Sequence, residues 1–442
     1  MFYIYIYKMK LLGISYLFSL CINAFVSSTS NIDGFVSNEV DLTTSFDIEE
    51  TCNVFKTQNE CHTNSNCSWC ISGAVKSQCH SLENANKLPS SIFSCNRVIG
   101  NDVGDDVGFF DDYLSVQWHP RWVDFLNYIE TFNKKYNEND LETRFNNFLK
   151  NLDFIENHEY SFELGINRYA DLSHEEFQHF VKSGGYINDK QIESDFEIEQ
   201  PQIKRSMLRF QNKRGSCESF KSKSNSLPES VDWREKNAVT DVKDQGHCGS
   251  CWSFSATGSM EGAWAIKTGK LVSFSEQQLI DCSSLYGNGG CSGGLMENAF
   301  EYAIDKGMCS EGELPYKAVG GLCSECNKVA HFSSCVDVTP NNQLHLKEAV
   351  SKGPVSVAIE ADTLVFQFYK SGVIDDVKCG TNLDHGVLVV GYGSENGKDY
   401  WVVKNSWGPG WGDKGFVKIA RSNSTNDIGI CGIAAQPSYI VV

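Results

Sequence analysis

Cys251, His385 and Asn405 are the residues of this chain whose types and settings point to covalent chemistry. Cys251 lies in the run Gln245-Gly246-His247-Cys248-Gly249-Ser250-Cys251-Trp252, an activated-cysteine signature. A cysteine nucleophile needs a base to form its thiolate, and the base needs a group that holds its orientation. His385 opens an apolar run, His385-Gly386-Val387-Leu388-Val389-Val390-Gly391, that reads as a buried strand. Asn405 ends a second, Tyr400-Trp401-Val402-Val403-Lys404-Asn405.

The elements that must position these groups follow from their neighbours. Cys251 opens a segment rich in small residues, Ser253, Ala256, Gly258, Ser259, Gly262 and Ala263, with Phe254, Met260 and Trp264 among them. Glycine lowers helix propensity, but small residues let other elements pack close, as on a buried central helix. The sulfur then sits at a helix N-terminus, where the dipole and unpaired N–H groups favour a thiolate. His385 takes the thiol proton and completes a thiolate–imidazolium pair. Asn405 offers its carbonyl oxygen to the imidazole N–H, fixing plane and tautomer without a second charge.

The order Cys…His…Asn and the pattern Cys248-Gly249-Ser250-Cys251-Trp252 resemble those of papain and cathepsin cysteine proteases, over roughly the last three quarters of the chain. The resemblance implies an α+β, papain-like fold with a helical lobe, a β-barrel-like lobe and a cleft between them. It implies no metal and no cofactor. It makes the Gln245 side chain and the backbone N–H of Cys251 the oxyanion hole, and sets Trp407 and Trp411 over the His385–Asn405 bond. Gly293 and Gly294 form the wall along which a peptide backbone runs, and Asp384 lines the same cleft. Leu295, Met296, Ala358, Leu383 and Gly386 form the S2 pocket, with Gln436 at its floor. These apolar walls and an uncharged floor predict Leu, Val or Phe at P2 and little reward for Arg. The family register pairs Cys248 with Cys291, Cys282 with Cys323, and Cys379 with Cys431. Cys309, Cys326 and Cys335 are left over. Cys323-x-x-Cys326 has redox spacing, and Cys217 is a candidate to tie a piece of linker to the catalytic domain.

Composition bounds the setting. A formal charge of -18 argues against nucleic-acid binding, and 18 cysteines argue for an oxidising compartment. Lys8 and Lys10 precede an apolar run from Leu11 to Val26 and then Ser27-Ser28-Thr29-Ser30. Residues 1–28 thus read as a secretory signal or, if uncleaved, a type II anchor, although about 16 residues is short for a bilayer span. Residues 50–97 hold Cys52, Cys61, Cys67, Cys70, Cys79 and Cys95 in a stretch too poor in apolar residues for a core. Three disulfides are expected there; the competing reading is zinc on Cys67 and Cys70 with His62 or His80. Cys67-Ser68-Trp69-Cys70 is similar to the centre of plexin-repeat (PSI-like) modules, and Asn66-Cys67-Ser68 is a glycosylation sequon. Residues 98–116, with Asp102, Asp105, Asp106, Asp111 and Asp112, read as a solvated acidic linker, not a calcium loop.

From about Trp118 to Tyr160 the spacing is helical. Trp122, Phe125, Tyr128, Ile129 and Phe132 form one stripe; Phe145, Phe148, Leu152 and Ile155 form another. Residues 117–182 resemble the inhibitory (I29-type) prodomain of cathepsin L-like proteases through Arg144, Phe148, Asn151 and Ile155. Asp140 and Glu159 depart from that pattern, which has Glu and Asn there. Gly165-Ile166-Asn167-Arg168-Tyr169-Ala170-Asp171 matches a second prodomain motif, with Tyr169 for Phe. Residues 183–226 are a polar linker containing Lys213-Arg214, built to be cut, and 227–442 are the catalytic domain. The expected protein is a secreted or vesicular zymogen, destined for a lysosome- or vacuole-like compartment or the exterior. It becomes a monomeric endopeptidase whose partners are peptide substrates, its own prodomain and cystatin-type inhibitors. The rival is an inactive papain-fold binding protein that presents the N-terminal module.

Overall fold

Two units divide the chain, 1–105 and 106–442. The computed structural model describes parts of 52–95, then 119–182 and 217–442 apart from 224–225. The signal or anchor, the acidic linker and Lys213-Arg214 lie outside these residues. Among the described residues no helix is long and apolar enough to cross a membrane.

Among its described residues the first unit holds two short helices, Gln58–Cys61 and Leu82–Lys87, and a three-stranded antiparallel sheet in the order β2-β1-β3, where β1 is Cys67–Ser72, β2 Gln78–Ser81 and β3 Phe93–Cys95. Disulfides Cys52–Cys67, Cys61–Cys79 and Cys70–Cys95 tie it together. Its buried cluster is essentially these sulfurs with Phe55 and Trp69 packed against them, so covalent links replace a core. Cys67 and Cys70, the cysteines of the zinc reading, are each in a disulfide, which overturns it; Cys52, Cys67 and Cys79 gather closely but are likewise all bridged.

The second unit opens with α1 (Trp122–Thr131) and α2 (Glu138–Glu156), not one continuous helix. The chain breaks at Phe132–Asn137, where Asn133 takes a left-handed φ of 49°. Asn137 caps α2 by accepting the Asp140 N–H at 2.9 Å, and its amide donates to the Asp140 carboxylate at 2.7 Å. Asp140 therefore serves as a capping partner, where its shorter side chain suffices. Glu159 is exposed. After β4 (Glu163–Leu164) comes α3 (His174–Lys182). Arg144 grips Glu176 with two bonds of 2.8 and 2.9 Å, joining α2 to α3.

Asp171 is the hub of this segment. It accepts from Tyr128 and Tyr136 hydroxyls at 2.6 and 2.7 Å and pairs with Lys134 at 2.8 Å. Burial first, then the charge and hydrogen bond of Asp171, pushes both tyrosine hydroxyls far above their ordinary range. Asp171→Ala removes the shared partner of Tyr128, Tyr136 and Lys134 at once; of the three, the Tyr128 hydroxyl keeps a second acceptor, the Arg168 carbonyl at 3.1 Å. We expect it to destabilise the segment by about 3 kcal/mol, measured as an earlier melting transition of the zymogen.

The catalytic region follows β5 (Glu218–Ser219) and β6 (Val231–Asp232). Its central helix α4 (Cys251–Thr268) is buried for most of its length. A Cβ at Gly258 would stand 2.6 Å from Leu388, and one at Gly262 2.5 Å from Pro354, so glycine sets the close approach to the sheet. On one side α4 packs with α5 (Glu276–Cys282) and α6 (Met296–Lys306). On the other lies a nine-stranded sheet built on β5, β6, β7 (Ser334–Asp337), β8 (Val355–Ile359), β10 (Val373–Ile374), β11 (His385–Glu395), β12 (Lys398–Lys404), β13 (Phe416–Ala420) and β14 (Ser438–Val441), while the short β9 (Tyr369–Ser371) lies outside it. Its order is β10-β13-β12-β11-β8-β14-β7-β5, with β6 on β11, while β9 pairs with β4.

Disulfides link Cys248–Cys291, Cys282–Cys323, Cys309–Cys326 and Cys379–Cys431. Cys323 and Cys326 therefore have separate partners, which removes the redox reading. Cys217 joins Cys335, and β5 lies parallel to β7 beside that bond. The following residues are also fixed: Glu348 accepts from the Ser222 hydroxyl at 2.6 Å and the Lys223 N–H at 2.9 Å.

Candidate active site

Cys251 is the first residue of α4, fully buried, and the only cysteine among the described residues outside a disulfide. The Gly386 N–H donates to its sulfur at 3.2 Å. His385 opens β11, and Asn405 follows the last residue of β12. These strands are antiparallel with Leu388 opposite Lys404, so the register carries both residues to the same sheet end. There His385 Nε2 and Asn405 Oδ1 are 2.8 Å apart. Oδ1 also accepts the Ser406 N–H at 2.8 Å, which turns the amide oxygen toward the ring. Nε2 must then carry the proton, leaving Nδ1 as the basic nitrogen.

Trp407 lies on the imidazole with ring centroids 4.7 Å apart, and Trp411 meets Trp407 edge-on at 5.2 Å. Both indoles are buried, so water is kept from the His385–Asn405 bond. Gln245 is held at both ends of its amide: Oε1 accepts from the Ser406 hydroxyl at 2.7 Å, and Nε2 donates to the Cys248 carbonyl at 3.1 Å. One N–H of that amide remains to donate. Two residues earlier, Lys243 pairs with Glu261 of α4 and Glu276 of α5 at 3.0 and 2.6 Å, pinning the Gln245 loop to both helices.

Leu295, Met296, Ala358 and Leu383 share one apolar cluster with Cys251 and Trp252. Gly386 pairs with Ala358 across β11 and β8, and a Cβ on it would approach Met296 and Trp252 at 3.2 Å. Gly293 has a φ of +103°. At Gly294 a Cβ would stand 2.5 Å from Asn288 and 2.7 Å from the Trp252 ring, so packing on Trp252 alone demands glycine. Gln436 is half-buried, and Asp384 is buried beside His385.

The prodomain covers this site from one side. β4 pairs with β9, the Asn167 amide donates to the Gln367 carbonyl at 2.7 Å, and the Gln367 amide donates to the Tyr169 carbonyl at 3.2 Å. Arg168 grips Asp244 at 2.6 Å and the Trp407 carbonyl at 3.0 Å. Tyr169, Phe177 and Phe180 pack on Trp407 with centroids at 5.7, 5.6 and 6.0 Å. Burial dominates the electrostatics that result. It pushes the Cys251 thiol up to about 12 against the Gly386 N–H, and the His385 imidazole down to about 4 against the Asn405 bond. Between those limits the covered pair is a thiol and a neutral imidazole, not the ion pair that the helix terminus alone suggests.

Three contributors were not singled out from the sequence. Ser406 and Asp244 sit beside motif residues and had no spacing of their own to mark them. Asp362 lies in an unremarkable loop. Its bonds to Gln178 and Lys182, 184 and 180 residues away by numbering, come only with tertiary structure.

Residues 227–441 match the papain family cysteine protease domain, and residues 125–177 match the cathepsin propeptide inhibitor domain (I29). The chain is 45% identical over 322 residues to the probable cysteine protease RD21B of Arabidopsis thaliana. That match covers 70% of this chain and 64% of the relative, just under two thirds of its length. Cathepsin L1 of Drosophila melanogaster is 46% identical over 294 residues, 64% of this chain and 72% of that protein. The structure of digestive procathepsin L 3 from Tenebrio molitor larval midgut has a TM-score of 0.63 at 39% identity, covering 73% of this chain and 100% of that one. The α+β arrangement is thus the papain-like fold in its proform, and this chain belongs to the papain family of cysteine proteases, with a cathepsin propeptide inhibitor domain ahead of the protease domain.

Proposed function

We propose that the chain is the zymogen of a cathepsin L-like endopeptidase in which Cys251 is the nucleophile, His385 the base and Asn405 its orienting partner. The observation that carries this reading is the 2.8 Å bond from His385 to Asn405 beside the free thiol at the start of α4. Once the prodomain leaves, water reaches the cleft and the desolvation shifts relax. The Cys251 proton passes to His385 Nδ1, and the helix N-terminus and Gly386 N–H hold the thiolate. Sulfur attacks the scissile carbonyl, forming a C–S bond and an oxyanion between the Cys251 N–H and the free N–H of Gln245. Collapse breaks the C–N bond, and imidazolium gives its proton to the departing amine. Water, deprotonated by His385, then hydrolyses the thioester and restores the thiol.

The apolar lining by Leu295, Met296, Ala358, Leu383 and Gly386, above Gln436, supports a P2 preference for Leu, Val or Phe. A peptide library in which Arg dominates P2 would overturn that preference. The prodomain is the protein's own inhibitor, and Trp407 is the surface it holds. The Arg168–Asp244 and Lys182–Asp362 ion pairs help hold the prodomain in place, and the resemblance to cathepsin L-like zymogens leads us to expect processing to be fastest below neutral pH. The cysteine-rich unit is read as a PSI-like targeting or adhesive module, in a chain sorted to an acidic vesicle or secreted.

The decisive test is labelling of Cys251 by an epoxysuccinyl-type probe across pH. Burial raises the thiol and lowers the imidazole, and the prodomain adds to that burial through Trp407, so both shifts are expected to shrink when it departs. At pH 7 a thiol returning from about 12 to the ordinary range near 8.5 gains about 10³-fold in thiolate. Mature enzyme should label at least that much faster than zymogen. Equal slow labelling of both forms would favour the inactive binding protein.

A further inference from the structure

The wall beside His385 is acidic. Glu360 and Asp362 follow β8 and Asp384 precedes β11; because His385 pairs with Ile359, the three carboxylates share one end of that ladder. Glu360 is 9% exposed, Asp362 and Asp384 3% each. Buried carboxylates require partners. Asp384 Oδ1 accepts the Ala361 N–H at 2.8 Å, and Glu360 accepts the Asn382 N–H. Asp362 takes the Gln178 amide at 3.1 Å and the Lys182 ammonium at 2.5 Å, and both donors belong to α3 of the prodomain. Asp384 Oδ2 is fully buried with no hydrogen-bond partner.

One cation, the half-exposed Lys182, therefore sits at this cluster bonded to Asp362, and it departs when the prodomain does. Lys182 pairs directly with Asp362 and interacts electrostatically with Asp384 and Glu360, whose carboxyls burial pushes up, Asp384 to about 8. The helix that delivers it also sets Phe177 and Phe180 on Trp407, the ring stacked on His385. His385 hands its proton to the leaving amine, so this side of the cleft holds the part of the substrate that leaves with that amine. The apolar pocket with Leu295 and Met296 instead clusters with Cys251 and Trp252.

We propose that Glu360, Asp362 and Asp384 form a subsite for a lysine or arginine side chain of the substrate on the leaving-group side of the scissile bond. In the zymogen Lys182 of the prodomain pairs with its Asp362. This inference rests on the peptidase reading and adds a second, charge-based selectivity to the apolar one at P2.

The test uses mature enzyme and quenched peptides that are identical except for Lys, Arg or Gln at the first two positions after the scissile bond. A charge-assisted bond of this kind predicts kcat/KM about tenfold higher for the basic peptides than for Gln. Asp362→Asn should bring that ratio close to one. Equal cleavage of the basic and Gln peptides by the unaltered enzyme overturns the subsite while leaving the peptidase intact, and needs no variant to fold. A ratio that survives Asp362→Asn overturns the assignment to this cluster. Cleavage of no peptide overturns the peptidase reading, and the subsite with it.

Discussion

Cys251→Ala is expected to lower kcat on an apolar-P2 peptide by at least about 10⁴-fold, and His385→Ala by a similar factor. The two act as one unit: without the base the thiol keeps its proton, and without sulfur the base has nothing to activate. The double variant should therefore be little worse than either single one. Removing the sulfur deletes one small group beneath the Gly386 N–H, so the fold should persist. The check is kcat for the three variants after processing by an added protease, since the altered zymogens are not expected to cut themselves. Thermal unfolding close to that of the unaltered protein shows that the loss is chemical. A double variant much slower than both singles would count against a shared Cys251–His385 step.

Gln245→Ala is expected to lower kcat by about 10²–10³-fold with little change in KM, as for loss of one oxyanion donor. The reason lies in how Gln245 is held. Ser406 and the Cys248 carbonyl fix the amide before substrate arrives, so its remaining N–H meets developing charge without reorganisation. Thiol labelling should separate this variant from the first pair. Cys251 and His385 remain, so an epoxysuccinyl-type probe should still react in Gln245→Ala after processing but not in Cys251→Ala. A Gln245→Ala enzyme that loses labelling and turnover together would show collapse of the loop held by Lys243, not loss of an oxyanion donor.

Local pattern carries much of this fold. The two helical stripes in the prodomain and the apolar runs of β11 and β12 are periodicities that neighbouring residues create. The small-residue run after Cys251 announces close packing, and Gly258 against Leu388 is where that packing occurs. Other features depend on distant partners. The break at Asn133 divides what the spacing presents as one helical segment, because Phe125 and Phe145 must meet on two different helices. Which cysteine Cys217 joins depends on β5 lying beside β7, and an odd set of leftover thiols carries no register. The titration of Cys251 and His385 is also not local. A helix N-terminus favours the thiolate, but the prodomain's aromatic side chains and the two lobes together exclude the water that an ion pair needs.

The bridge from Cys217 to Cys335 makes the position of the activating cut matter more than its occurrence. A cut between Lys223 and Leu227 severs the chain, yet everything before it stays joined to the catalytic domain through that disulfide. The inhibitor is then a tethered ligand at a fixed, high effective concentration, and dilution does not release it. A cut before Cys217 turns the same inhibitor into a free molecule whose grip falls with concentration. The enzyme that results keeps β5 as an added edge strand, with Ser222 and Lys223 held on Glu348 after it. The disulfide thus separates breaking the chain from switching on the enzyme, and leaves the second step to another cut or to the reducing power of its surroundings.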